Sequence, residues 1–138
     1  MILFNYETDF NLNSEKKISF WIKKCVKKEN AFVGEINYIF CNDEYLHKIN
    51  LEFLQHDTLT DIISFDYTEM KKISGDIFIS IDRVNENAKL FNVSFKDELH
   101  RVIIHGILHF LGYKDKTKDQ KNVMRAKENE CIEILKQL

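Results

Sequence analysis

Hydrophobic positions along the chain change period several times, and each change marks an element. Residues 1–6 (MILFNY) are short and apolar and suit an edge strand. Ser14 stands at an N-cap position, and behind it Ile18, Trp21, Ile22, Cys25 and Val26 recur as one buried helical stripe, with lysines around the rest of the circumference. After Gly34 the run EINYIFC alternates, with Ile36, Tyr38 and Phe40 on one side as on a strand. Asp43 is the expected cap of a second helix carrying Leu46, Ile49, Asn50 and Phe53, and the polar stretch QHDTLT follows. The β-rich runs 61–67 (DIISFDY) and 75–81 (GDIFISI), joined by TEMKKIS, predict an antiparallel hairpin with a longer connection. A short helix is expected over 82–91.

Ser94, with Asp97 three residues on, then opens what reads as the longest helix, buried along Leu99, Val102, Ile103, Gly106, Ile107 and Phe110 and stopped by Gly112. Thr117 and Gln120 form a second capping box. The helix behind it places Met124, Cys131, Ile134, Leu135 and Leu138 on one side. The order β-α-β-α-β-β-α-α-α predicts an α+β fold, a small mixed four-stranded sheet with helices packed on it.

Composition narrows the function classes. The 138 residues suit one domain, 1–138, and 44% apolar with 30% charged residues is a globular balance. Twenty basic against 22 acidic residues give −2, which excludes a generally basic nucleic-acid coat but not a local patch. Charge is uneven: residues 1–30 hold six basic and four acidic groups, 114–138 hold seven and five, and 31–113 hold seven and thirteen, so a phosphate track would draw on the two ends. Arginine is confined to Arg83, Arg101 and Arg125, so bidentate phosphate forks are few. Cys25, Cys41 and Cys131 are odd in number and include no CxxC pair, which argues for reduced thiols rather than a disulfide scaffold or zinc finger. No stretch approaches the roughly 18 apolar residues of a membrane span, and no basic region precedes the apolar N-terminus as in a signal peptide. A soluble cytoplasmic protein without membrane contact is expected; nothing in the sequence sets its oligomeric state.

The chemistry concentrates in HGILHFLGYKD, residues 105–115. His105 and His109 are i and i+4, so both imidazoles can reach one ion from one helix face. Gly112 ends the helix, and Asp115 beyond it can supply a carboxylate as third ligand. Three protein ligands leave a position for water, the catalytic pattern rather than the closed structural one, and the ion lowers the pKa of that water towards 7. The same pair also occurs by chance as two ordinary helix histidines. Gly106 stands where a zincin has its general-base glutamate, which argues against a peptidase of that mechanism, and close packing is the other reason for a glycine there.

These residues resemble the YbeY family of ribosomal-RNA-maturation endoribonucleases, whose pattern is H-G-x-L-H-x-x-G-Y-D-H. The upstream family pattern N-x-x-Y-R, then T-D-V-L-S-F, is matched by Asn50 to Leu54 and by Thr60-Asp61-Ile-Ile-Ser64-Phe65, and the G-D-I strand by Gly75-Asp76-Ile77. The three motifs, in order, cover nearly the whole chain. The resemblance implies a metal-dependent single-strand endoribonuclease that hydrolyses phosphodiesters with a metal-bound water. It implies action on ribosomal RNA, in small-subunit 3′-end maturation and ribosome quality control, with the small subunit or assembled ribosome as partner. One divalent ion, Zn2+, on His105, His109 and Asp115 is expected. Two positions depart from the pattern. Asp115 stands where the family usually has histidine; a His₂-carboxylate set still binds zinc and tolerates harder ions such as manganese better. Leu54 stands at the family's active-site arginine, so another cation must take its charge role or that role is absent.

Thr60, Ser64 and His56 are candidate substrate contacts, as are Lys114 and Lys116, which flank Asp115; each also reads as an ordinary exposed or capping residue. Asp61 and Asp76 begin β runs and read as turn caps or as functional carboxylates. Tyr113 can stack on a base or pack on the helix. Competing functions are a ribosome-associated assembly factor with a structural metal, and another zinc-dependent hydrolase. A ferrous oxygenase with a two-histidine, one-carboxylate set is more distant, because such sites normally sit in β-barrels.

Overall fold

In the computed structural model, which describes residues 1–138, the elements follow the predicted order: β1 (Ile2–Tyr6), α1 (Glu15–Lys28), β2 (Phe32–Cys41), α2 (Asp43–Leu54), β3 (Ile62–Asp66), β4 (Lys72–Ser80), α3 (Ile81–Leu90), α4 (Phe95–Phe110) and α5 (Lys118–Lys136). The sheet runs β1-β2-β4-β3. The first three are mutually parallel and β3 pairs antiparallel with β4 as an edge strand, so the sheet is mixed as expected.

Strand alternation sends Ile36, Tyr38 and Phe40 of β2 and Ile73, Ile77 and Ile79 of β4 to one face. There they share a core with Trp21, Ile22 and Val26 of α1, with Val102, Ile103 and Ile107 of α4, and with Met124 and Leu135 of α5. Each such large side chain, once buried, contributes about 1.5–3 kcal/mol. Buried polar atoms are satisfied along the same seam. The Tyr38 hydroxyl donates to the Ile103 carbonyl at 2.8 Å and the Trp21 indole N–H to the Cys131 carbonyl at 2.6 Å, which ties α4 to the sheet and α5 to α1. On the opposite face α2 covers a smaller cluster of Cys41, Leu46 and Ile63.

Several boundaries differ from the sequence pattern. β2 and β4 begin earlier than expected, because Phe32 pairs with Lys72 and Val33 with Ile73 ahead of a register shift. The cap of α2 is Asn42, whose side chain accepts from the Tyr45 amide at 2.9 Å; Asp43 instead accepts from Ser80 Oγ at 2.7 Å and Arg83 Nε at 3.1 Å, joining α2 to α3. Phe53 is exposed, with its ring edge-on to Phe65. Ser14 precedes α1 in a left-handed conformation and its hydroxyl caps nothing. α5, at 19 residues, is longer than α4 at 16. Leu138 is exposed, and the buried side of α5 carries Glu128 among Met124, Cys131 and Leu135.

Candidate metal centre

The predicted buried stripe of α4 is buried throughout, which fixes the rotation of the helix on the sheet. Gly106 is the point of closest approach: a Cβ there would stand 3.0 Å from Ile77 Cδ1 and 3.2 Å from Ile62 Cδ1. Packing therefore accounts for the glycine, and with the sheet so close the neighbouring His105 and His109 emerge at the margin of the core, half-buried. The helix ends at Gly112, with a φ of +102°. The Gly112 amide donates to the His109 carbonyl and the Tyr113 amide to the Leu108 carbonyl, both at 3.0 Å, the double bond of a Schellman turn. That turn reverses the chain and returns Asp115 to the histidines.

Three ligand atoms converge. His105 Nε2 lies 3.1 Å from Asp115 Oδ2, His109 Nε2 lies 3.3 Å from the same oxygen, and the two imidazole nitrogens are 3.0 Å apart. A tetrahedral ion with bonds of about 2.0–2.1 Å holds its ligand atoms about 3.3 Å from one another, so the triangle has the size a zinc-like ion needs. The donor chemistry agrees. His105 Nδ1 lies 2.6 Å from Glu128 Oε2, an acceptor that calls for a proton on Nδ1. In its neutral form the ring then turns the lone pair of Nε2 towards the Asp115 carboxylate, acceptor facing acceptor, an arrangement resolved either by a second proton on the ring or by a shared cation.

Glu128, which the sequence reading does not single out, is the buried partner of His105. It is only 4% exposed, its other oxygen accepts from Arg101 at 3.0 Å, and Arg101 also donates to Asn129 Oδ1 at 3.0 Å. Its signal was a carboxylate inside an apolar stripe, at the 4-3-4 spacing of residues 124, 128, 131 and 135. Burial works against the Glu128 charge, but the hydrogen bonds from His105 and Arg101 outweigh it and hold the carboxyl below its ordinary range. Burial likewise favours neutral His105, yet the hydrogen bond and charge of Glu128, with Asp115 and Asp61 behind them, raise its pKa. Asp61 is pushed up by burial, against the pull of His105 and a 3.4 Å hydrogen bond from Asn87.

The other candidates divide. Ser64 sits opposite Ile77 in the hairpin, and Ile77 lies against Gly106, so Ser64 is on the α4 side of the sheet beside the histidines' helix. Thr60 precedes that strand and donates to the Ile62 carbonyl at 3.3 Å. His56 is exposed beyond α2, and its amide bonds to the Asn50 carbonyl. Lys114 and Lys116 are exposed on the turn, with no carboxylate within ion-pair distance. Asp76 faces away from α4 and accepts from Asn37 at 3.1 Å, a bond within the sheet. The Tyr113 hydroxyl donates to Glu29, with the Lys127 ammonium 5.8 Å from its ring.

Residues 3–136 match the family model described as Endoribonuclease YbeY. An Endoribonuclease YbeY of Flavobacterium johnsoniae is 61% identical over 132 residues, covering 96% of this chain and 95% of its own. One from Parabacteroides distasonis is 47% identical over 137 residues, covering 98% and 96%. The solution structure of TM1509 from Thermotoga maritima is similar at a TM-score of 0.69 and 28% identity, covering 98% of this chain and 89% of that one.

Proposed function

The chain belongs to the YbeY family of endoribonucleases, and from that premise we infer that its metal-dependent cleavage of RNA takes place at His105, His109 and Asp115. The observation that carries this reading is the convergence of their three ligand atoms, all within 4.8 Å of one another, beyond a helix-ending glycine. The enzyme is a hydrolase acting in ribosomal RNA processing. We assign the ion as Zn2+, on the strength of two imidazoles and one carboxylate at tetrahedral spacing. When bound, a divalent ion supplies Lewis acidity and lowers the pKa of water towards neutrality.

The protein's own groups prepare that chemistry. Glu128 holds His105 with Nδ1 protonated and Nε2 directed at the ligand group, and Arg101 fixes Glu128 in turn. The Asp115 carboxylate lowers the net charge of the loaded site relative to three imidazoles. Ser64 and Thr60, on or before the strand beside α4, are the hydroxyls we assign to the substrate's sugar and phosphate oxygens, with Lys114, Lys116 and His56 as outer contacts. The substrate we propose is single-stranded ribosomal RNA, at the small-subunit 3′ end, met on the small subunit or assembled ribosome. The whole of 1–138 acts as one endoribonuclease domain. A cytoplasmic setting suits three buried free thiols, and no helix is long and apolar enough to cross a membrane.

The test is metal content by elemental analysis together with cleavage of a single-stranded oligoribonucleotide. One zinc per chain and metal-dependent cutting are expected, with both lost in His109→Ala. Cleavage that persists in His109→Ala without bound metal would place the reaction elsewhere.

A further inference from the structure

We propose that Arg125 grips an RNA phosphate beside the metal group. The inference rests on the nuclease reading above and begins from an account of the three arginines. Arg83 is committed: its Nε is 3.1 Å from both oxygens of Asp43, and its side chain is 30% exposed. Arg101 is committed: Nη1 donates to Glu128 and Nη2 to Asn129, each at 3.0 Å, and its side chain is 24% exposed. Arg125 is 58% exposed, and its one ionic contact is a loose 3.9 Å from Nε to Glu128 Oε1, an oxygen Arg101 already holds. Its two terminal nitrogens form no hydrogen bond within the chain.

Position supplies the second half. Arg125 precedes Glu128 by three residues on α5, so the two share a helix face. The other oxygen of Glu128 is on His105 Nδ1, which leaves Arg125 one carboxylate away from a proposed ligand. Arg101 satisfies Glu128 at close range, and buried Glu98 also lies in the field of both guanidinium groups, so Arg125 is held tightly by no single carboxylate and its fork stays open to solvent. A guanidinium fork matches two phosphate oxygens at once, whereas Lys114 and Lys116 offer point charges on an exposed turn. Leu54 supplies no charge. A helix also places the fork more rigidly than a turn does. The competing role for Arg125 is structural, as a distant support of Glu128, and the two roles separate by measurement.

Arg125→Gln and Arg125→Lys are made in the full chain. Affinity for a fluorescent single-stranded oligoribonucleotide is read by anisotropy in metal-free protein across a salt series. Zinc affinity is read by competition with a chromophoric chelator, and cleavage in zinc-loaded protein. Arg125→Gln is expected to bind RNA about tenfold more weakly, and its slope of log K against log salt to be shallower by about 0.7, one phosphate's worth on a single strand. Arg125→Lys should recover the slope and part of the affinity, with zinc affinity parental in both. Parental RNA affinity and slope in Arg125→Gln would overturn the proposal, as would a loss of zinc affinity with the RNA affinity unchanged. If the parent protein does not cleave but Arg125→Gln still loses the slope increment, the nuclease assignment fails while the phosphate grip stands. Cleavage by the parent with an unchanged slope in the variant sinks the grip alone.

Discussion

At the scale of single residues, the two histidines are unequal. His105 is held through Nδ1 by a buried carboxylate at 2.6 Å, while His109 is hydrogen-bonded only through the Nε2 that faces the other ligands. On the proposed assignment Glu128 would act on a bound metal without touching it, by fixing the His105 ring and making its Nε2 more basic. Glu128→Gln keeps the shape and one acceptor but drops the charge. It is expected to weaken zinc binding about tenfold, and Glu128→Ala, which frees the ring, nearer a hundredfold. Competition titration against a chromophoric chelator reads both. Equal affinities for parent and both variants would remove Glu128 from the metal centre.

At the scale of elements, the Schellman turn after α4 brings Asp115, the proposed third ligand, back to the histidines. Gly112 has open space around it, so an added methyl group meets nothing; the cost lies in its φ of +102°, which L-residues rarely adopt. Gly112→Ala is expected to cost about 1–2 kcal/mol, read as a lower urea midpoint. The relaxing turn should also carry Asp115 away from the histidines, so zinc affinity falls together with stability. A stable variant with parental zinc affinity would show that Asp115 reaches the histidines independently of the turn. Gly106 differs: its φ is ordinary, and contact with Ile77 and Ile62 sets its size.

At the scale of the whole molecule, burying carboxylates beside the metal group shapes stability against pH. Glu128 is depressed by its partners, so its contribution is present above the unfolded carboxylate pKa and fades as pH falls through the folded value. Asp61 has the opposite sign. Its folded pKa is raised, so folding is most favoured below the unfolded value, near 3.9, and loses that advantage as pH rises through the folded value. Asp61→Asn can still accept from Asn87 and cannot ionise. In metal-free protein it is expected to raise the urea midpoint at pH 7, with the gain vanishing at about pH 4 and below. Denaturation across that range checks it; a gain of the same size at pH 4 would assign the effect to packing rather than to charge.

The sequence by itself determined the element order, the α+β class and the ligand candidates, because each depends on local spacing. A stripe at helical period, an alternating strand, a glycine at a helix end and two histidines one turn apart are all written within a few residues of chain. The family pattern at 105–115 added the RNA chemistry to that spacing. What only the tertiary structure decided depends on contacts between distant segments. Glu128 meets His105 across 23 residues and Arg101 across 27, through α4 and α5 lying side by side, and no local period announces such a pairing. The extra length of β2 and β4 comes from the Phe32–Lys72 and Val33–Ile73 pairs, since a ladder extends wherever two backbones can bond, whatever the hydrophobicity of the residues. Asp61 and Asp76 looked alike as carboxylates opening β runs. The sheet's alternation turns Asp76 away from α4 to bond Asn37, and burial places Asp61 in the field of His105, because the face a side chain takes is fixed by what the sheet packs against.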